Sequence, residues 1–248
     1  MKQLFTSDNH KCLMFNDLTS KEMVQANQHI IFHNNEAVIL DPGGHKVYMK
    51  LFSEISKEIP GAKISHIFLS HQDPDIIASL NGWLLTTDAK AYLPEIWIRF
   101  ITHFGIDELL VKKVNTIPDE GGKIDVGNIE LKIIPAHFLH SSGNMHLYDP
   151  VSKILFTGDL GVSIGAEYDS VEDFDSHIKY MENFHKRYIP TSKAIKIWLN
   201  TLDKLNLEIE TIAPQHGAII EGKENVSKFF NWLKDLNVGM DISNDSWI

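Results

Sequence analysis

The chain has 248 residues, 43% of them hydrophobic, and a formal net charge of −10. That length suits one large domain or two small ones, and that apolar share provides a buried core. An acidic balance with no lysine- or arginine-rich block argues against nucleic acid and against an anionic membrane surface as partners.

In chain order, the amino-terminal "MKQLFTSDNHKCLMFNDL" is too broken by polar residues for a secretory signal, and no apolar run is long enough to span a bilayer. A cytoplasmic location is the expectation. Cys12 is the only cysteine, which excludes an internal disulfide and a cysteine-based zinc site. "HIIFH" and "EAVILDP" flank the turn signal "NNE" and read as a hairpin ending at "DPGG". "VYMKLFSEISKEI" has helical spacing and stops before "PGAK". "ISHIFLS" is a short strand, and "DIIASLNGWLL" a helix with Asp-Pro-Asp in its first turn. "KIDVGNIELKIIPA" is a second hairpin about Val126-Gly127-Asn128, and "NMHLYDPVSKILFTGD" a third about Asp149-Pro150. A helical zone follows from about Ser170 to Leu205, interrupted at Pro190; then come the strand "IETIAP" and a helix around "NVSKFFNWLKDL". Strand pairs separated by helices, in two successive halves, point to two sheets enclosed by outer helices.

Thirteen histidines are the compositional oddity of this acidic chain and direct attention to metal ligands. Four places put a histidine or aspartate just past the carboxyl end of an expected strand. They are His71-x-Asp73-x-Asp75 after "IFLS", His140 in "PAHFLHSSGNM", Asp159 in "ILFTGD" and His216 in "IAPQHG". Ligand sites in sheet-based α/β proteins lie outside such strand ends. Three imidazoles and three carboxylates suit two divalent cations with one carboxylate bridging. Each residue also has a plainer reading. "DPD" before a helix is what capping alone produces: an aspartate N-cap, proline at the first helical position, an acid toward the dipole. His140 reads as a loop residue, Asp159 as a turn residue and His216 as a surface residue. Singly these readings are preferred; six such residues in this order at strand ends favour the metal.

The set resembles the metallo-β-lactamase superfamily, and within it the diiron domain of flavodiiron proteins. The superfamily's His-x-His-x-Asp-His is matched by His71-Gln-Asp73-Pro-Asp75-Ile76, and the later ligands by His140 before "SSGNM", Asp159 in "LFTGDLG" and His216 in "APQHG". The resemblance implies a single domain over residues 1–248, an α/β fold of the αββα sandwich type with two mixed sheets flanked by helices. It implies one metal on His71, Asp73, His140 and the bridging Asp159, and a second on Asp75, His216 and the same bridge. Three features depart from the family pattern. Ile76 replaces a usual second-metal histidine, Asp73 is one methylene shorter than the flavodiiron glutamate, and no flavodoxin domain follows, so no FMN is expected in this chain.

Carboxylate-rich mixed ligation with open positions suits non-haem iron better than an imidazole-rich zinc site. The expectation is therefore two irons that bind dioxygen, with nitric oxide as the other gas. A diiron domain of this kind without the flavodoxin domain resembles the oxygen-binding diiron proteins associated with bacterial chemotaxis, which implies a sensor or carrier. Partners would be a chemotaxis receptor or an electron-donor protein; only with such a donor would the site turn over as an oxygen or nitric oxide reductase. The alternative is a hydrolase with two zinc ions, using a metal-bound hydroxide oriented by Asp75. Tyr168, after the Asp159 loop, is a weak candidate to hydrogen-bond a bound gas. His137 competes with His140 as ligand, His146 reads as structural, and His177 and His185 as solvated helix residues. Ile76, Ile77 and Trp83 read as core.

Overall fold

A computed structural model describes residues 1–242; residues 243–248, the end of the expected domain span, lie outside the described residues. Strands β1 (Lys2–Ser7), β2 (His10–Phe15), β3 (Gln28–His33), β4 (Glu36–Leu40), β5 (Lys63–Phe68), β6 (Lys90–Pro94) and β7 (Val114–Ile117) lie side by side in chain order. Neighbours are antiparallel from β1 to β4 and parallel from β4 to β7, so the sheet is mixed. The second sheet is also mixed. It holds β8 (Gly122–Val126), β9 (Ile129–Pro135), β10 (Met145–Asp149), β11 (Ile154–Phe156), β12 (Thr211–Ala213) and β13 (Ile220–Glu221), with β11 and β12 parallel and the other pairs antiparallel.

Strand periodicity produces the layering. Along β4, Ala37 and Ile39 face the core under α1 (Tyr48–Glu58) and α3 (Leu80–Thr86), whereas Val38 and Leu40 face the second sheet. Phe68, Leu131, Leu147 and Phe156 fill the space between the sheets. On the far side, Ile134, Leu155 and Ile212 meet α4 (Phe174–Tyr188), α5 (Ser192–Leu205) and α6 (Lys223–Asp235) through Trp198 and Phe229. Three apolar layers between four layers of structure make the αββα sandwich. Among the described residues, no helix is long and apolar enough to cross a membrane.

Most expected elements are present with shifted ends. Asn34 and Asn35 both take left-handed φ values, 47° and 69°, as a two-residue hairpin turn requires. The helical zone begins at Phe174 rather than Ser170, capped by Asp173, and resumes after Pro190 with Thr191 as cap. The helix expected after Asp-Pro-Asp is instead the four-residue α2 (Pro74–Ile77) followed by α3. The split has a tertiary cause. The Ile76 carbonyl accepts from the Gly43 N–H at 3.2 Å, and the Ser79 N–H donates to the Gly43 carbonyl at 3.0 Å, so the loop after β4 takes bonds a continuous helix would use. The β1–β2 hairpin and strands β6 and β7 were not anticipated. Ile76, Ile77 and Trp83 are core residues, as expected.

Candidate metal centre

The parallel pairs β4–β5 and β11–β12 end at one edge of the sandwich, where the Met145 N–H donates to the Ser70 carbonyl at 2.9 Å and joins the two sheets. Asp41, His71, Asp159 and His216 follow these four strand ends, Asp73 and Asp75 stand at the start of α2, and His140 lies on the β9–β10 loop. His140 has φ +93°, a backbone state that costs a side-chain-bearing residue about 1–3 kcal/mol and persists only where the surroundings impose it. Here the Asn144 amide donates to the Leu139 carbonyl and the Phe138 N–H to the Ser141 carbonyl, closing the loop around the histidine.

The structure brings all six residues together, in two groups. His71, Asp73, His140 and Asp159 each offer a ligand atom, and these atoms lie within 4.8 Å of one another. His140 Nε2 is 3.1 Å from Asp73 Oδ2, and His71 Nε2 is 3.7 Å from the same oxygen. Asp159 Oδ2 faces His71 and His140 at 3.9 and 3.7 Å, while its Oδ1 faces His216 at 3.5 Å. His216 Nε2 is in turn 3.3 Å from Asp75 Oδ2. One carboxylate therefore turns an oxygen to each group. Asp73 stands at the N-cap position, yet its side chain makes no capping bond; it is turned to His140.

His71 Nε2 and Asp159 Oδ1 are buried with no hydrogen-bond partner. Buried polar atoms left in this state are costly, and separations of 3.1–3.9 Å approximate the edges of a coordination polyhedron with bonds of about 2.0–2.2 Å. The donor set thus fits metal ions. Burial opposes protonation of His216, but the hydrogen bond to Asp75 and the charge of Asp159 outweigh it and raise its pKa to about 9. His71 is raised against burial by Asp73 and Asp159. Burial would raise Asp73, yet the hydrogen bond from His140 and the nearby charge of His71 hold its carboxyl well below the usual range.

Residues not singled out from sequence support the cluster. Ser70 Oγ donates to Asp41 Oδ2 at 2.9 Å, so the His71 Nδ1–H, 2.9 Å away, donates to that hydroxyl and Nε2 is left for an ion. Burial lifts the pKa of Asp41 to about 6, against the Ser70 N–H bond that favours its charge. His216 Nδ1 donates to the Gln25 carbonyl, and the Gly217 N–H donates to Gln25 Oε1 at 2.8 Å. Gln72 donates to Asp73 Oδ1 and accepts from Ser141 Oγ, tying the Asp73 and His140 loops together. The strand-end rule that picked out Asp159 applies equally to Asp41; Ser70 and Gln25 carry no local signal.

The remaining histidines divide clearly. His137 is bonded to the Asp119 carbonyl at 2.8 Å, while His140 takes the place in the cluster. His146 is buried against Trp198. His177 and His185, expected to be solvated, are instead fully buried, because α4 packs this face on the second sheet. His185 Nδ1–H donates to the Met181 carbonyl, so its Nε2 accepts from the Gly161 N–H at 2.9 Å and steadies the loop carrying Asp159. The Tyr168 hydroxyl is engaged with His177 Nδ1 at 2.7 Å, and the Tyr168 side chain lines a cavity that reaches His216.

Two mixed sheets between helices, with a histidine–aspartate cluster at the shared edge, define a metallo-β-lactamase-like fold of the diiron type. The chain belongs to the ODP family of beta-lactamase-like proteins, whose family model, "ODP family beta lactamase", matches residues 24–217. It is 37% identical to a solved structure described as the peroxy diiron species of the chemotaxis sensor ODP, with 97% of each chain covered and a TM-score of 0.86. It is 28% identical over 220 residues to an uncharacterized protein of Methanocaldococcus jannaschii, covering 82% of this chain and 51% of that one. It is 32% identical over 111 residues to a nitric oxide reductase of Moorella thermoacetica, covering 42% and 27%. The chain spans about half or less of the length of these two curated relatives.

Proposed function

We propose that this protein is a non-haem diiron protein that binds dioxygen and acts as an oxygen sensor, its state read by a chemotaxis receptor or a similar protein partner. His71, Asp73, His140 and Asp159 would hold one iron, and Asp75, His216 and Asp159 the other. The observation that carries this reading is the orientation of Asp159, with Oδ2 toward His71 and His140 and Oδ1 toward His216, as a bridging carboxylate requires. Two ferrous ions would supply the electrons with which dioxygen is bound. The protein's part is to balance three of their four positive charges with Asp73, Asp75 and Asp159 and to orient the imidazoles through Ser70 and Gln25. The likeness to a chemotaxis sensor over nearly the whole chain supports sensing, and the partial likeness to a nitric oxide reductase makes nitric oxide the competing gas. Asp73 and Ile76 stand where imidazoles would serve a zinc hydrolase, which weighs against that alternative.

The test is to purify the protein without oxygen, count iron and zinc, then admit air while recording the visible spectrum. Two irons per chain and a slowly decaying band are expected. Two zincs and a silent spectrum would refute the proposal. Repeating the exposure with nitric oxide ranks the two gases, and steady oxygen consumption with an added reductant would mark a reductase instead of a sensor.

A further inference from the structure

A second cluster of metal-ligating side chains lies at the opposite end of the sandwich. His10 and Cys12 are on β2, Asp149 ends β10, and all three are fully buried between the sheets. His10 pairs across the sheet with His33, which pairs with Glu36 at the amino end of β4; the iron cluster lies beyond the carboxyl end of that strand. Asp149 likewise ends the strand whose first residue, Met145, touches Ser70. His10 Nε2 is 2.8 Å from Asp149 Oδ2, and Cys12 Sγ is 3.3 Å from that oxygen and 3.5 Å from that nitrogen. An ion with tetrahedral bonds of about 2.0–2.3 Å has ligand–ligand edges of roughly 3.3–3.6 Å; both sulfur edges lie in that range, and the His10–Asp149 edge would open by about half an ångström to admit the ion.

Proton counting leaves a gap in the triangle. His33 Nε2 is 2.6 Å from the amide oxygen of Asn128 and 3.0 Å from the Asn34 amide nitrogen, which donates to that same oxygen at 2.6 Å. With the Asn34 amide turned to the oxygen, the shorter contact puts the proton on His33 Nε2 and leaves Nδ1 to accept. His10 Nδ1, 3.2 Å from His33 Nδ1, is then the donor of that pair. The other nitrogen, His10 Nε2, faces the Asp149 carboxylate with its lone pair. Two acceptors 2.8 Å apart need a proton or a metal cation between them, and the Cys12 thiol, with one proton, can donate to only one of the two. Ser152 Oγ donates to Asp149 Oδ2, and the Val151 N–H to Oδ1. These bonds hold the carboxylate in place without meeting that need.

We propose that the cation is a divalent metal ion of borderline softness, zinc or a close relative, bound by His10 Nε2, Cys12 Sγ and Asp149 Oδ2. Nitrogen, sulfur and oxygen donors together suit such an ion, and thiolate plus carboxylate cancel its two charges, as a buried site demands. Forming the sulfur–metal bond breaks the S–H bond and releases that proton to solvent; no electron is transferred. The single cysteine excludes a zinc site built from thiolates, but the exclusion expected from sequence does not extend to a mixed site, because β2 and β10 add the histidine and the carboxylate from opposite sheets. Complete burial makes the ion a pin between the sheets, acquired as the chain folds.

Cobalt tests this directly, because Cys12 is the only cysteine and a thiolate-to-cobalt charge-transfer band has no other source. The protein is produced in zinc- and iron-depleted medium supplied with cobalt(II), and its cobalt and residual zinc are counted beside the near-ultraviolet spectrum. The expected result is one metal ion per chain beyond those in the histidine–aspartate cluster, together with the near-ultraviolet band. His10→Gln should remove that one ion and the band while the visible cobalt bands of the other cluster persist; Asp149→Asn serves if that variant does not fold. A folded protein whose visible bands show a filled histidine–aspartate cluster, with no near-ultraviolet band and no additional zinc, would overturn the proposal and leave a shared proton in the triangle.

Discussion

Replacing Ser70 by alanine tests the link between hydrogen bonding and metal affinity at the candidate centre. The substitution removes one hydroxyl that accepts from His71 Nδ1 and donates to Asp41 Oδ2, each at 2.9 Å, and leaves the Ser70 N–H bond to Asp41 Oδ1 at 2.8 Å intact. Both partners are buried, so neither finds water in exchange. The lost bonds are missing with and without iron, so most of their direct cost cancels in an affinity. What does not cancel is control of the ring. Without an acceptor for the Nδ1 proton, His71 is no longer held in the tautomer and orientation that present Nε2 to Asp73 and Asp159. Losing such an outer partner typically weakens metal binding by about 10–100-fold, or about 1.4–2.8 kcal/mol at 1.4 kcal/mol per tenfold. Competition against a ferrous chelator in the absence of oxygen measures it. Circular dichroism confirms that the variant is folded, and Ser70→Thr, which keeps the hydroxyl, should recover part of the affinity. An alanine variant that is folded and binds iron as tightly as the wild type would refute this account of Ser70.

Three further outcomes are expected. His29 is buried between the sheets against Phe156, and burial lowers its pKa from 6.5 to about 3. Between those values the unfolded chain binds the extra proton, so stability falls as pH falls; at pH 5 the loss is about 2 kcal/mol. In urea melts at pH 7.5 and 5, wild type should lose about that much more than His29→Leu, and equal losses would exclude His29 as a cause. Gly217 has φ +79°, and an added Cβ would lie 2.2 Å from the Ser163 carbonyl oxygen. Gly217→Ala should therefore displace the neighbouring His216 and lower the iron count toward one per chain; two tightly held irons would contradict the assignment of His216. Tyr168→Phe should leave iron content and the spectrum in air unchanged while costing about 1–3 kcal/mol for the His177 nitrogen left unpaired. A shifted spectrum would instead place Tyr168 at the gas-binding centre.

Local pattern was enough to find the edge of the sandwich that matters. A histidine or aspartate directly after a strand is readable because strand and turn preferences act over a few residues, and the ends of parallel neighbours converge. The same pattern could not say what Asp73 does. "DPD" before a helix reads identically for a capping aspartate and a ligand, and only the approach of the β9–β10 loop turns the carboxylate toward His140 at 3.1 Å. Nor could it reveal that Gln25 anchors His216, a bond between residues 191 positions apart, or that His185 is buried and steadies the Asp159 loop. His185 in isolation looks like any polar residue of an amphipathic helix.

By itself, then, the sequence determined the four strand ends that carry the site, the donor types gathered there and the apolar alternation that stacks two sheets between helices. The tertiary structure alone decided which donor faces which, how each imidazole is held, and that β2 and β10 bring His10, Cys12 and Asp149 within 3.5 Å of one another. The reason is physical. Secondary structure follows from preferences local to the chain, whereas a polar atom buried between sheets takes its partner from whichever strand packs opposite, at any distance along the sequence.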